Sequence, residues 1–290
     1  MGFNNPDQNA GQMHTNGWEA TLGWNDKIQD LGYSISFNVS DYKSVMGDLK
    51  GTQFLGDQIK IKGSEYNEWF GYVSDGIYQT QAAVDNSPKT SSNVKAGDIK
   101  YKDLSGPNGT PDGIINQYDK VLLGGSLPRF LFGGNVALNY KNFDFSIAFQ
   151  GVGKQNVIYT PNMVEPFLNS GFWGNVPAII DGKYWSKYNT DEQNLKAKYP
   201  RVSNIGSLNN YVMSDYWLFN GAYLRLKNVT LGYSIPKQIV NKFKMQGIRL
   251  YLSLNDFLTV DKFPKGWDPE NTGANYPITS SLIFGANIKF

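Results

Sequence analysis

From Leu282 to Phe290 every second residue is apolar: Leu282, Phe284, Ala286, Ile288 and Phe290 share one phase, and Ile283, Gly285, Asn287 and Lys289 fill the other. The stretch before it sets Ile248, Leu250, Leu252 and Leu254 against Arg249, Tyr251, Ser253 and Asn255. Successive side chains of a strand point to opposite sides, so a period of two marks a strand whose faces meet different surroundings. A half-buried strand of a soluble sheet carries this pattern, and so does a wall strand of an outer-membrane barrel.

The alternation recurs, and seven long strands are expected at about 18–26, 31–41, 129–140, 143–153, 220–234, 247–257 and 280–290. Phe143, Phe145, Ile147 and Phe149, opposite Asp144, Ser146, Ala148 and Gln150, form the most aromatic stripe. Leu224 and Leu226 lie in one phase and Val229, Leu231 and Tyr233 in the other, which predicts a β-bulge at Lys227-Asn228. Pro236 followed by Ile239, Val240 and Phe243 predicts a short helical turn within 235–246.

Connections alternate in length: short at 27–30, 141–142 and 235–246, long at 42–128, 154–219 and 258–279. Outer-membrane barrels place short turns at the periplasm and long loops outside, so this order favours a barrel over a soluble sheet. An odd number of strands leaves edges that need pairing, which reads as part of a larger barrel. The long connections exceed ordinary loop lengths and are expected to be functional or to contain structured pieces.

Composition removes several function classes. Apolar residues never run long enough for a membrane-spanning helix. With no cysteine, a disulfide scaffold or thiolate metal site is out. A net charge of +2 with scattered basic residues gives no support to nucleic-acid binding. His14 is the only histidine, so no histidine relay or cluster can be built. Asp268 and Glu270 have the residue types of a glycosidase pair, but acidic residues of a rim loop more often meet solvent or a partner, and no enzyme is expected.

Ordered motifs then point to a family. Gly17-Trp18-Glu19, Phe70-Gly71-Tyr72-Val73-Ser74-Asp75-Gly76-Ile77-Tyr78 and Gly97-Asp98-Ile99-Lys100-Tyr101-Lys102-Asp103 come first. Leu123-Gly124-Gly125-Ser126-Leu127-Pro128-Arg129-Phe130, Phe149-Gln150-Gly151-Val152-Gly153, Gly221-Ala222-Tyr223-Leu224-Arg225-Leu226-Lys227-Asn228-Val229-Thr230-Leu231-Gly232-Tyr233 and Gly266-Trp267-Asp268-Pro269-Glu270 follow. With Asn255 and Phe290, they resemble the carboxy-terminal part of the SusC/RagA-type TonB-linked (TonB-dependent) outer-membrane transporters of Bacteroidota.

That resemblance implies an all-β, antiparallel transmembrane β-barrel. The chain would be the C-terminal fragment of a 22-stranded wall, with about seven long strands and long extracellular loops. Residues 1–17 would be a leading loop or fragment end, and 18–290 barrel without the plug domain. It implies active import of glycans or peptides as the barrel wall, integral to the outer membrane of a Gram-negative bacterium. Implied partners are a SusD-like surface lipoprotein acting as a lid, the TonB complex through a missing N-terminal part, outer-membrane lipids, and an oligosaccharide or peptide substrate. Phe290 looks like the aromatic barrel-insertion signal.

The same resemblance offers an acidic loop. Asp103, Ser105, Asp112, Asn116 and Asp119 are candidate calcium ligands, since calcium needs several oxygens around a tight glycine turn. Pro107 to Pro111 interrupts the spacing, and a plain hydrogen-bonded turn is the competing reading; no other cofactor is expected. Trp173, Trp185, Trp267 and Asp268 are candidate substrate or lid contacts, against the reading that the tryptophans pack the loops on themselves. The alternative function is a soluble or surface carbohydrate-binding β-sandwich module. The two differ in whether the Phe143 stripe is internal or faces lipid.

Overall fold

A computed structural model describes residues 11–51, 53, 55–158, 178–202, 209–271 and 276–290. The alternating segments become strands that pair with their neighbours in sequence. β1 (Met13–Ile28) and β2 (Leu31–Met46) form a hairpin around Gln29, whose φ of 50° suits a tight turn. The first long connection contains β3 (Gln58–Ile59), β4 (Glu68–Gly71), β5 (Ser74–Ile77), β6 (Ile99–Tyr101), β7 (Val121–Gly124) and a helical turn, Gln81–Asp85. β8 (Arg129–Tyr140) and β9 (Phe143–Lys154) form the second hairpin. β10 (Asn156–Ile158) and β11 (Leu218–Asn220) pair with each other, with a short helix at Asp191–Leu195 between them in sequence. β12 (Tyr223–Ser234), β13 (Gly247–Asp261) and β14 (Ser281–Lys289) complete the chain.

The seven long strands make one antiparallel sheet in the order β1-β2-β8-β9-β12-β13-β14. The expected bulge is present as a register shift between Leu226 and Asn228. The expected helical turn is present at Lys237–Val240. The expected barrel is not. Among the described residues β1 and β14 lie at opposite ends of the sheet, each with a single neighbour, so the sheet they form is open and encloses no lumen. The expectation of transmembrane strands falls with it. As folded here the sheet leaves a row of unpaired backbone N–H and C=O groups along each edge, which hydrocarbon does not tolerate. Short helices and small sheets in the connections also make the whole a mixed fold.

The two faces of the long sheet differ. Trp24, Leu22, Ile35, Phe37, Leu231, Leu252 and Phe284 stay exposed on the apolar face, and no other element among the described residues covers it. The opposite face carries ion pairs. Arg249 reaches across β12 to the Asp144 carboxylate, with Nε 2.8 Å from Oδ1, and passes directly over Gly232. Any side chain at 232 would occupy the space of that pair.

At the end of the sheet where the long connections emerge, a separate unit has its own core. Tyr72, Ile99, Tyr101 and Ile115 from the first connection pack with Val157, Ile180, Tyr199 and Trp217 around the second and with Phe263 of the third. Burying a large apolar side chain contributes about 2 kcal/mol relative to leaving it in water, so these contacts bind the connections together.

Candidate functional site: an aromatic cleft rimmed by lysines

The unit is organised around a buried carboxylate. Asp98 is 1% exposed, and it accepts from Arg201 Nε at 2.7 Å, Asn210 Nδ2 at 2.9 Å and the Lys95 backbone N–H at 2.8 Å. Asn210 accepts from the Ile99 backbone N–H through its side chain, while its carbonyl accepts from Trp217 Nε1 at 2.6 Å. Gly97, with φ of 89°, lies against the ring of Trp185. A left-handed φ under an aromatic ring needs glycine. The Gly97-to-Asp103 motif is thus a polar joint between two segments about a hundred residues apart in sequence.

The joint fixes an aromatic group. Tyr211 stacks on Trp217 at 5.5 Å between ring centroids, and Tyr216 meets it edge-on at 5.1 Å. Trp217 is buried, and burial pushes the Tyr216 and Tyr199 hydroxyls up from the ordinary tyrosine range, so both stay neutral. Tyr199, Tyr216, Trp217 and Phe219 line a cleft of about 540 Å³. Lys183, Lys198, Lys262 and Lys265 also line it, and all four are exposed. Its volume lies within the range of small-molecule sites.

A second polar joint holds the third connection to the sheet. Arg225, 1% exposed on β12, donates to Asp268 Oδ2 at 2.5 Å and to Thr259 Oγ1 at 2.9 Å, and its other nitrogen lies 3.0 Å from Glu270. Burial, with the hydrogen bond to Glu270, raises the Tyr223 hydroxyl. Asp268 therefore sits in an ion pair, and Trp267 packs against the core of the unit.

The remaining expected site residues are dispersed. Trp185 lines a different cleft with Lys95, Lys187 and Tyr188, and Trp173 lies outside the described residues. Phe290 follows β14 and is exposed. In the acidic loop Asp119 is fully buried. Its two oxygens accept from the backbone N–H groups of Leu104, Ser105 and Asn116. Asp103 accepts from Asp112 and Gly113, Asp112 from Ile114, and Asn116 from Tyr118. These bonds make the loop a set of interlocked turns. Among the described residues no three His, Cys, Asp or Glu side chains gather as a metal site.

The cleft residues were not singled out from the sequence. They come from positions 179–219 and 262–265, and no spacing links them until the core forms.

No family model matches the sequence. The chain is 30% identical over 319 residues to TonB-dependent receptor P3 of Formosa agariphila, covering 100% of this chain and 30% of that protein. It is 26% identical over 301 residues to TonB-dependent receptor SusC of Bacteroides thetaiotaomicron, covering 98% of this chain and 27% of that protein. The structure of the RagAB peptide transporter shares its fold over 98% of this chain and 30% of that one, with a TM-score of 0.72 at 18% identity. The chain spans about 30% of the length of these receptors. Receptors of this kind are transport proteins and not enzymes, and their likeness points to association with the outer membrane. The chain is a distant homologue of the SusC/RagA-type TonB-dependent transporters.

Proposed function

We propose that this chain is a surface-binding module of a SusC/RagA-type outer-membrane uptake system, corresponding to the carboxy-terminal part of such a receptor. The reading of the chain as a transporting barrel wall is set aside, because an open sheet has no lumen to transport through. What the chain does have is a folded unit bearing a cleft. The module holds a carbohydrate there while a SusD-like surface lipoprotein and the TonB complex serve the receptor as a whole.

One observation carries this reading: Tyr199, Tyr216 and Phe219 line a cleft whose rigid backing is Trp217. Aromatic rings offer flat apolar faces with little conformational entropy to lose, which is what a sugar ring's C–H face requires. Titration of an oligosaccharide panel into the intact protein, followed by calorimetry, tests it. Binding by the wild type and a loss of about tenfold in Tyr216→Ala, the size expected from one aromatic contact, are the expected results. If no oligosaccharide binds, or if the variant binds as the wild type does while melting at the same temperature, the reading is wrong.

A further inference from the structure

The charge around the cleft is one-sided. Lys183, Lys198, Lys262 and Lys265 line it without a single Asp or Glu among the described lining residues. None of the four lysines forms a salt bridge among the described residues, although the chain pairs Lys43, Lys100, Lys196 and Lys227 with carboxylates elsewhere. Two acids that neighbour the lining residues in sequence accept from backbone groups elsewhere. Asp215 accepts from the Ser74 backbone N–H, and Asp261 from that of Phe263.

Like charges set around one concavity repel one another, and that repulsion is relieved when an anion enters. The lysines come from two connections, Lys183 and Lys198 from the second and Lys262 and Lys265 from the third. Their convergence is a product of the fold and not of a basic run in the sequence. Lysine presents a compact, rotatable charge suited to sulfate or carboxylate groups whose exact positions vary along a chain. The aromatic residues supply the contact for the ring that carries them.

We infer that the cleft selects anionic oligosaccharides, whose sugar rings meet Tyr216 and Phe219 while sulfate or carboxylate groups meet the four lysines. The inference rests on the binding reading above and adds the class of ligand. A neutral oligosaccharide keeps the aromatic contact and loses the charge contacts. An acidic peptide keeps the charge contacts and lacks the flat apolar ring faces.

The test is calorimetry on the intact protein, kept in a mild nonionic detergent that covers the apolar sheet face. The probes are a sulfated hexasaccharide, the same hexasaccharide after desulfation, and a hexapeptide of aspartate. The sulfated probe is expected to bind at least tenfold tighter than the desulfated one, since four screened charge contacts together amount to about thirtyfold. The preference should collapse when salt rises from about 0.05 M to about 0.5 M, where the screening length drops severalfold. It should also collapse in the quadruple Lys183→Gln, Lys198→Gln, Lys262→Gln and Lys265→Gln variant; these exposed residues leave the core untouched. Equal binding of sulfated and desulfated probes, or an unchanged preference in the quadruple variant, overturns the anion selectivity while the binding module stands. Tighter binding of the peptide overturns the assignment to carbohydrate. Failure of every probe to bind overturns the module itself.

Discussion

The long sheet and the unit at its end hold charge in opposite ways. On the sheet, the Asp144–Arg249 pair lies on an open face, with each side chain about one third exposed. In the unit, Asp98 is sealed from water and accepts from two side chains and a backbone N–H. The first pair lies along a surface already held by backbone ladders. The second joins segments that have no ladder in common. One architecture is built from repeated local pairing, and the other from a few long-range polar contacts that must all be made together.

That contrast is tested most severely by removing the two carboxylates. Asp98→Ala leaves Arg201 and the buried Asn210 amide without their acceptor, and breaking a buried pair costs about 3 to 5 kcal/mol. Asp144→Ala removes a partly solvated pair, worth roughly 0.5 kcal/mol. Hydrogen exchange should show the first variant losing protection across residues 72–101 and 209–217 while β8, β9, β12 and β13 keep theirs. Equal destabilisation by the two changes would mean that the unit and the sheet are one cooperative structure.

A smaller effect separates the regions by pH. Hydrogen bonding from Arg129 lowers the Asp41 carboxyl below the ordinary aspartate range, and Arg249 does the same for Asp144. A folded value below the unfolded one means these pairs contribute their full stability above about pH 4, the unfolded aspartate value, and lose it as pH falls through the lowered values. Melting temperature followed from neutral pH downward should therefore decline less steeply in an Arg129→Gln/Arg249→Gln double variant than in the wild type. Identical slopes would show that neither pair is linked to folding.

The sheet was legible in the sequence because its signal is local. Arg129–Tyr140 and Phe143–Lys154 match the alternating runs almost to the residue, and the phase shift at Lys227-Asn228 marked a real bulge. Closure was not legible, because an alternating strand looks the same in an open sheet and in a barrel; only the partners of β1 and β14 decide it, and among the described residues neither has one on its outer side. The long connections were marked as structured or functional by length, but their folding was hidden. Asp98 meets Asn210, and Tyr101 donates to the Asn209 carbonyl, across more than a hundred residues of chain. Trp267 and Asp268 have the residue types of a substrate or lid contact. Asp268 pairs with Arg225, whose role could not be read from the apolar alternation around it.

Hydrogen exchange of the intact protein with and without the sulfated hexasaccharide tests most directly whether ligand is held by the unit and not by the sheet. Slower exchange confined to residues 178–202, 209–219 and 262–265 is the result this account predicts, with β2, β8, β9 and β12 unchanged. Protection that instead appears along the polar face of those four strands, leaving the lysine-rimmed cleft as it was, would contradict it.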